Sequence, residues 1–132
     1  MNGETVTVNG DGSNSRDFTY VDNVVQANLL ASWVPGAAGG VFNVGCGSSH
    51  TLNDLCRGIE AATGRALQVQ HGPAREGDVR HSMADITAAR TQLRYEPAIS
   101  FQMGLERTVR AAMRASTVVC GRQGGLAPAG GR

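Results

Sequence analysis

Short β-like stretches alternating with capped amphipathic helices place this 132-residue chain among α/β or α+β domains. Three observations carry that reading. VTVN at 6–9 alternates apolar and polar residues, VFNV at 41–44 is a nearly continuous apolar run, and helical spacing recurs behind Asp, Thr and Ser caps.

Taken in order, Val6 and Val8 define one buried face of a short strand, and the turn NGDGSNS follows at 9–15. Asp22 is placed to cap a helix on which Val25, Leu29 and Trp33 recur every four residues, and Pro35-Gly36 ends it. The run at 41–44 reads as a strand covered on both faces, which calls for neighbours this chain does not supply. Thr51-Leu-Asn-Asp54 matches a capping box, Leu52, Leu55, Ile59 and Ala62 share the helical face behind it, and Gly64 suits the left-handed residue after its end. Leu67 and Val69 suggest another strand, and 71–81 reads as loop. Asp85 is placed to cap a short helix carrying Ile86, Ala89 and Leu93. Ser100 is placed to cap a last one carrying Phe101, Leu105, Val109 and Met113. From Ser116 the periodicity stops, and 116–132 reads as a Gly-rich disordered tail behind a binding region at 1–115.

Composition narrows function. A net charge of +1 and few aromatics argue against nucleic acid, and no apolar run approaches the roughly 20 residues that span a membrane. Cys46, Cys56 and Cys120 are odd in number and lack metal spacing, as do His50, His71 and His81, so reduced thiols, no metal and a cytoplasmic setting are expected. GCGSS at 45–49 lacks both the P-loop lysine and the full dinucleotide fingerprint, and reads as a tight turn.

Two loops carry arginines suited to anions: SRDF around Arg16 and AREGDV around Arg75. A guanidinium fork pairs bidentately with phosphate oxygens, and the Asp78 carboxylate suits sugar hydroxyls. Asp11, Asp17, Asp22 and Glu76 are near enough in sequence to pair with either arginine, so ligand binding and internal pairing both stay open. Asp17 is expected to brace Arg16 or the turn.

NGDGSNSRDFTYVDNVVQANLL, VFNVGCGSSHTLNDL and REGDVRHSMADITAARTQLRYEP, in that order, resemble the C-terminal half of extended short-chain dehydrogenase/reductases of the NAD-dependent epimerase/dehydratase family. The segments look most similar to bacterial UDP-N-acetylglucosamine 4-epimerases and to the Vi-polysaccharide and O-antigen epimerases acting on the uronic acids. The resemblance implies an α/β portion of an NAD(P)-binding Rossmann-like fold without its N-terminal dinucleotide half. It also implies Arg16 and Arg75 on a UDP diphosphate, Asp78 on a ribose hydroxyl, Thr7 and Asn9 meeting uracil, and Phe18 near the nucleotide. Ser82, four residues after Asp78, would line the sugar pocket, where a small side chain leaves room for a 2-acetamido group.

The family's Gly-x-x-Gly-x-x-Gly loop and Tyr-x-x-x-Lys pair do not occur. Tyr20 is followed four residues on by Val24 and Tyr95 by Ile99, and the 12 basic residues are all arginine. No catalytic residue is therefore assigned, and NAD is expected on the parent enzyme and not on this chain alone. Expected partners are a UDP-sugar, the missing NAD-binding half and, for the parent, a second copy in a homodimer. A non-catalytic nucleotide-sugar module and a portion of a sugar-nucleotide dehydratase or decarboxylase are the alternatives.

Overall fold

Two small sheets are held against one another by four helices in the computed structural model, which describes residues 5–121. Strand β1 (Val6–Asn9) leads through the glycine turn to β2 (Ser15–Arg16) and then to helix α1 (Val21–Trp33). Strand β3 (His50–Thr51) runs straight into α2 (Leu52–Thr63), followed by β4 (Val69–Gly72), α3 (Thr87–Leu93) and α4 (Phe101–Gly121). β1 pairs in parallel with β4, Val6 opposite Val69 and Asn9 opposite Gly72, while β2 pairs antiparallel with β3. A parallel bridge between Ser15 and His81 brings the second arginine loop beside the first.

The sharpest local signals hold. Thr51 Oγ1 accepts from the Asp54 N–H at 3.0 Å while Asp54 Oδ2 accepts from the Thr51 N–H at 2.9 Å, a reciprocal cap. Gly64 closes α2 at φ 66°, where a side chain would be strained. Ser100 Oγ accepts from the Met103 N–H at the start of α4, but Asp85 does not cap α3: the N-cap is Ile86, and Asp85, one residue earlier, accepts from the Thr87 N–H at 3.0 Å. Where α2 crosses α4, a side chain at Gly58 would strike Leu105, so the glycine sets how closely the helices approach.

Four further expectations are corrected. Asp22 does not cap α1: the N-cap is Tyr20, and Asp22 in the first turn pairs with Arg107 of α4 at 2.9 Å. The stripe Val25, Leu29 and Trp33 faces outward, because a second stripe (Asn23, Ala27, Leu30 and Val34) runs at the same helical spacing and packs inward. Small Ala27 suits that inward face, where α1 meets α3 and Ala89 is fully buried. The run at 41–44 makes no strand ladder among the described residues. It buries one side only, Phe42 and Val44 against the core, with Val41 93% exposed. Finally, α4 continues to Gly121, past the boundary set at Ser116, and residues 122–132 of the expected tail lie outside the described residues.

The core gathers Ala27, Ala37, Ile86, Ala89, Leu93 and Tyr95. Two polar groups stitch it. Tyr95 donates to the Gly45 carbonyl at 2.8 Å, and burial pushes its phenol above the usual range. Asn23, fully buried, donates to the Ile99 carbonyl at 2.7 Å and accepts from the Ile99 N–H at 2.9 Å, fastening α1 to the segment before α4.

Candidate functional site

The turn after β1 is shaped by glycines and seated on α2. Gly10 and Gly12 both sit at φ 75°, and a side chain at Gly12 would run into Asn53. Asp11 Oδ1 accepts from the Ser13 N–H, and hydrogen bonds from the Ser13 hydroxyl and then its N–H hold the carboxyl below the usual range. Asn53 donates to the Asp11 carbonyl at 3.0 Å, and the N–H groups of Leu52 and Asn53 donate to the carbonyls of Asn14 and Gly12. The first turn of the capped helix thus fixes the loop that delivers β2. That cap is strongly charged: hydrogen bonds from the Thr51 hydroxyl and N–H, with Arg57 alongside, hold the Asp54 carboxyl down at about 2.

Arg16 at the end of β2 and Asp17 just after it do separate work. Arg16 turns toward the second loop, where its Nη2 meets Asp78 Oδ1 at 2.6 Å and its Nη1 donates to the Ser15 carbonyl at 2.8 Å. Asp17 faces the opposite way and accepts from the N–H groups of Cys46 and Gly47, each at 2.9 Å. A side chain at Gly45 would collide with that carboxylate. Asp17 therefore braces the 45–47 turn, not Arg16 itself. The same contact shows that the glycine turn does not fit a dinucleotide phosphate, since an internal carboxylate already holds its N–H groups.

The second loop closes over the first. The Ser15 N–H donates to the Arg80 carbonyl at 2.8 Å and the Ser82 N–H to the Ser15 carbonyl at 3.1 Å, which sets the small, exposed Ser82 beside β2. Asn9, Arg75, Glu76, Gly77 and Asp78 line a cavity of about 370 Å³. The Arg75 guanidinium has no ion-pair or hydrogen-bond partner among the described residues. Thr7, on the same edge of β1 as Asn9, lies against Gly72, and both also border a larger apolar groove of about 600 Å³ between β1 and α2.

Thus Asn9, Arg75 and Asp78 share one cavity, Arg16 joins it through Asp78, and Ser82 lies beside Ser15 of β2, with Thr7 two residues from Asn9 along β1. Phe18 does not join them. It packs against Phe101 of α4, ring centroids 5.6 Å apart, and Phe101 in turn stacks on His50 at 4.1 Å. Sequence reasoning missed Asn14, whose amide donates to Asp78 Oδ2 at 2.8 Å. Its only visible signal was an amide side chain in a glycine turn beside an arginine. Among the described residues no group of three or more metal-binding side chains occurs, and no helix is long and apolar enough to cross a membrane.

A parallel strand pair flanked by helices, with two arginine loops meeting at one mouth, defines an α/β unit suited to an anionic, hydroxyl-bearing ligand. The chain belongs to the GDP-mannose 4,6-dehydratase family, whose model matches residues 1–108, within the NAD-dependent epimerase/dehydratases of the extended short-chain dehydrogenase/reductase class. It is 37% identical over 107 residues to a UDP-glucose 4-epimerase of Mycolicibacterium smegmatis, a match covering 81% of this chain and 34% of that one. Among solved structures it is similar to the UDP-glucose 4-epimerase of Thermotoga maritima with UDP-glucose. That match has 40% identity and a TM-score of 0.80, covering 86% of this chain and 36% of the other. It is also similar to the UDP-N-acetylglucosamine 4-epimerase of Methanobrevibacter ruminantium M1 in complex with UDP-N-acetylmuramic acid. Identity there is 34% and the TM-score 0.78, covering 86% and 36% of the two chains. Several other solved matches hold NAD. The chain spans about a third of the length of the curated relatives it matches.

Proposed function

We propose that this chain is the UDP-sugar-binding portion of an NAD-dependent nucleotide-sugar 4-epimerase, interconverting UDP-N-acetylglucosamine and UDP-N-acetylgalactosamine or the corresponding uronic acids for surface polysaccharide synthesis. The observation that carries it is the convergence of two arginine loops. Arg16 touches Asp78 at 2.6 Å, and Asp78 shares its cavity with the unpaired Arg75 guanidinium. Two arginine loops joined through Asp78 suit a diphosphate, and that carboxylate suits the ribose. Asn9 and Thr7 at the strand end would take the base, and Ser82 beside β2 leaves space at the sugar. Phe18 would act through its stack on Phe101, holding β2 from behind.

The N–H groups of the glycine turn at 45–47 are already taken by Asp17, so NAD would not be held there. The chain's own contribution is to bind and orient the nucleotide-sugar. A second reading, a portion of a sugar-nucleotide dehydratase, is favoured by the name of the matching family model. Titration calorimetry of the intact protein with UDP-N-acetylglucosamine is the test. Arg16→Ala should weaken binding by about 1.5–3 kcal/mol, the scale of a charge-assisted bond. Unchanged affinity would make Arg16 a purely structural partner of Asp78.

A further inference from the structure

We propose that Asn14 is a positioning residue that fixes how Asp78 meets the ribose, so that this turn residue governs preference for a ribose over a 2′-deoxyribose nucleotide. The inference rests on the nucleotide reading above. A carboxylate offers about four acceptor positions, two on each oxygen. In Asp78, Oδ1 accepts from Arg16 at 2.6 Å and Oδ2 from Asn14 at 2.8 Å. One donor on each oxygen fixes the carboxylate plane and leaves one acceptor position free on each. Two adjacent acceptors at fixed spacing match the two hydroxyls of a vicinal diol, which a 2′-deoxyribose lacks.

Asn14 matters because the Arg16 anchor is not dedicated to Asp78. A diphosphate entering beside Arg75 competes for the same guanidinium. The terminal torsion of an Asp side chain is broad, so a carboxylate held only by Arg16 would turn as that guanidinium shifts. Asn14 supplies an anchor that no phosphate draws away. Its backbone is itself held, since its carbonyl accepts from the Leu52 N–H at 3.0 Å, in the first turn of the capped α2. Asn14 is half-buried, and its amide reaches across 64 positions of sequence to Asp78.

The experiment compares UDP with 2′-deoxyuridine diphosphate by titration calorimetry of the intact protein, unmodified and as Asn14→Ala and the isosteric Asn14→Asp. Asn14→Ala should lose about tenfold in affinity for UDP and less than about twofold for the deoxy ligand, so the ratio of the two collapses. Asn14→Asp, which sets a second carboxylate against Asp78 in place of a donor, should collapse it at least as far. Equal losses for both ligands, or an intact ratio in Asn14→Asp, would overturn the proposal while leaving the nucleotide reading in place. Failure of the unmodified protein to bind UDP would overturn that reading and this inference together.

Discussion

Around Arg16 the polar groups are answered by other described residues, whereas on the outer face of α1 Val25, Leu29 and Trp33 stand 49, 58 and 82% exposed with nothing described against them. The first region draws its order from directional contacts within the chain: a reciprocal helix cap, a glycine turn seated on it, and an arginine paired across two loops. The second has the apolar spacing of a buried helix face without the burial. A site can thus be shaped in one region of a fold while another is left uncovered by the described residues. Contiguous exposed apolar surface of this kind marks an interaction face.

The largest effect that would sharpen the contrast lies at Asn23, on the buried face of α1. Asn23→Leu would leave the part-buried N–H of Ile99 without its partner and the Ile99 carbonyl with only the Cys46 thiol at 4.0 Å. It should cost about 3 kcal/mol in urea denaturation, and a loss below about 1 kcal/mol would show that α4 docks without it. Next comes the turn. Gly12→Ala forces a side chain into a left-handed residue and against Asn53, so stability should fall by about 1–2 kcal/mol in the same assay. A neutral result would mean the site is held less firmly than its hydrogen bonds indicate.

A smaller effect follows from Asp54. Its carboxyl is held at about 2 in the folded protein against 3.8 for an ordinary carboxyl, so the stabilisation is present above 3.8 and is lost as pH falls through about 2. Thermal midpoints should therefore decline across that window, and Asp54→Asn should flatten part of the decline. An identical acid slope in the variant would sever the cap from the acid response. The smallest effect belongs to the outer face. Leu29→Gln with Trp33→Gln should change stability by no more than about 0.5 kcal/mol, yet reduce self-association in light scattering. A stability loss above about 1 kcal/mol would mean that the face is covered, and the comparison would break.

Legibility in the sequence tracked distance along the chain. The cap at Thr51 and Asp54, the left-handed Gly64 and the cap at Ser100 were readable because each contact spans only a few residues. The inward face of α1 was not, since two apolar stripes share one period and only tertiary packing selects between them. Arg16 and Asp78 could each be named from their loops and from the family resemblance. That they touch, 62 positions apart, had no local signal. Asp17 was read as bracing its neighbours because the 45–47 turn lies about thirty positions away, at 29 residues for Cys46. Asn14 escaped notice because a turn amide is expected to serve its own turn.

The bond between Asn23 and Ile99 spans 76 residues, and the Ser15–His81 contact spans 66. At synthesis rates of about 5–20 residues per second, Asn23 waits roughly 4–15 s for Ile99 to be made. Parallel pairing of β1 with β4 imposes a similar wait, because such ladders close only after a long loop has formed. α1 can form early, but the mouth between the two arginine loops must wait until the segment as far as Ser82 has been made, and the Asn23–Ile99 bond longer still.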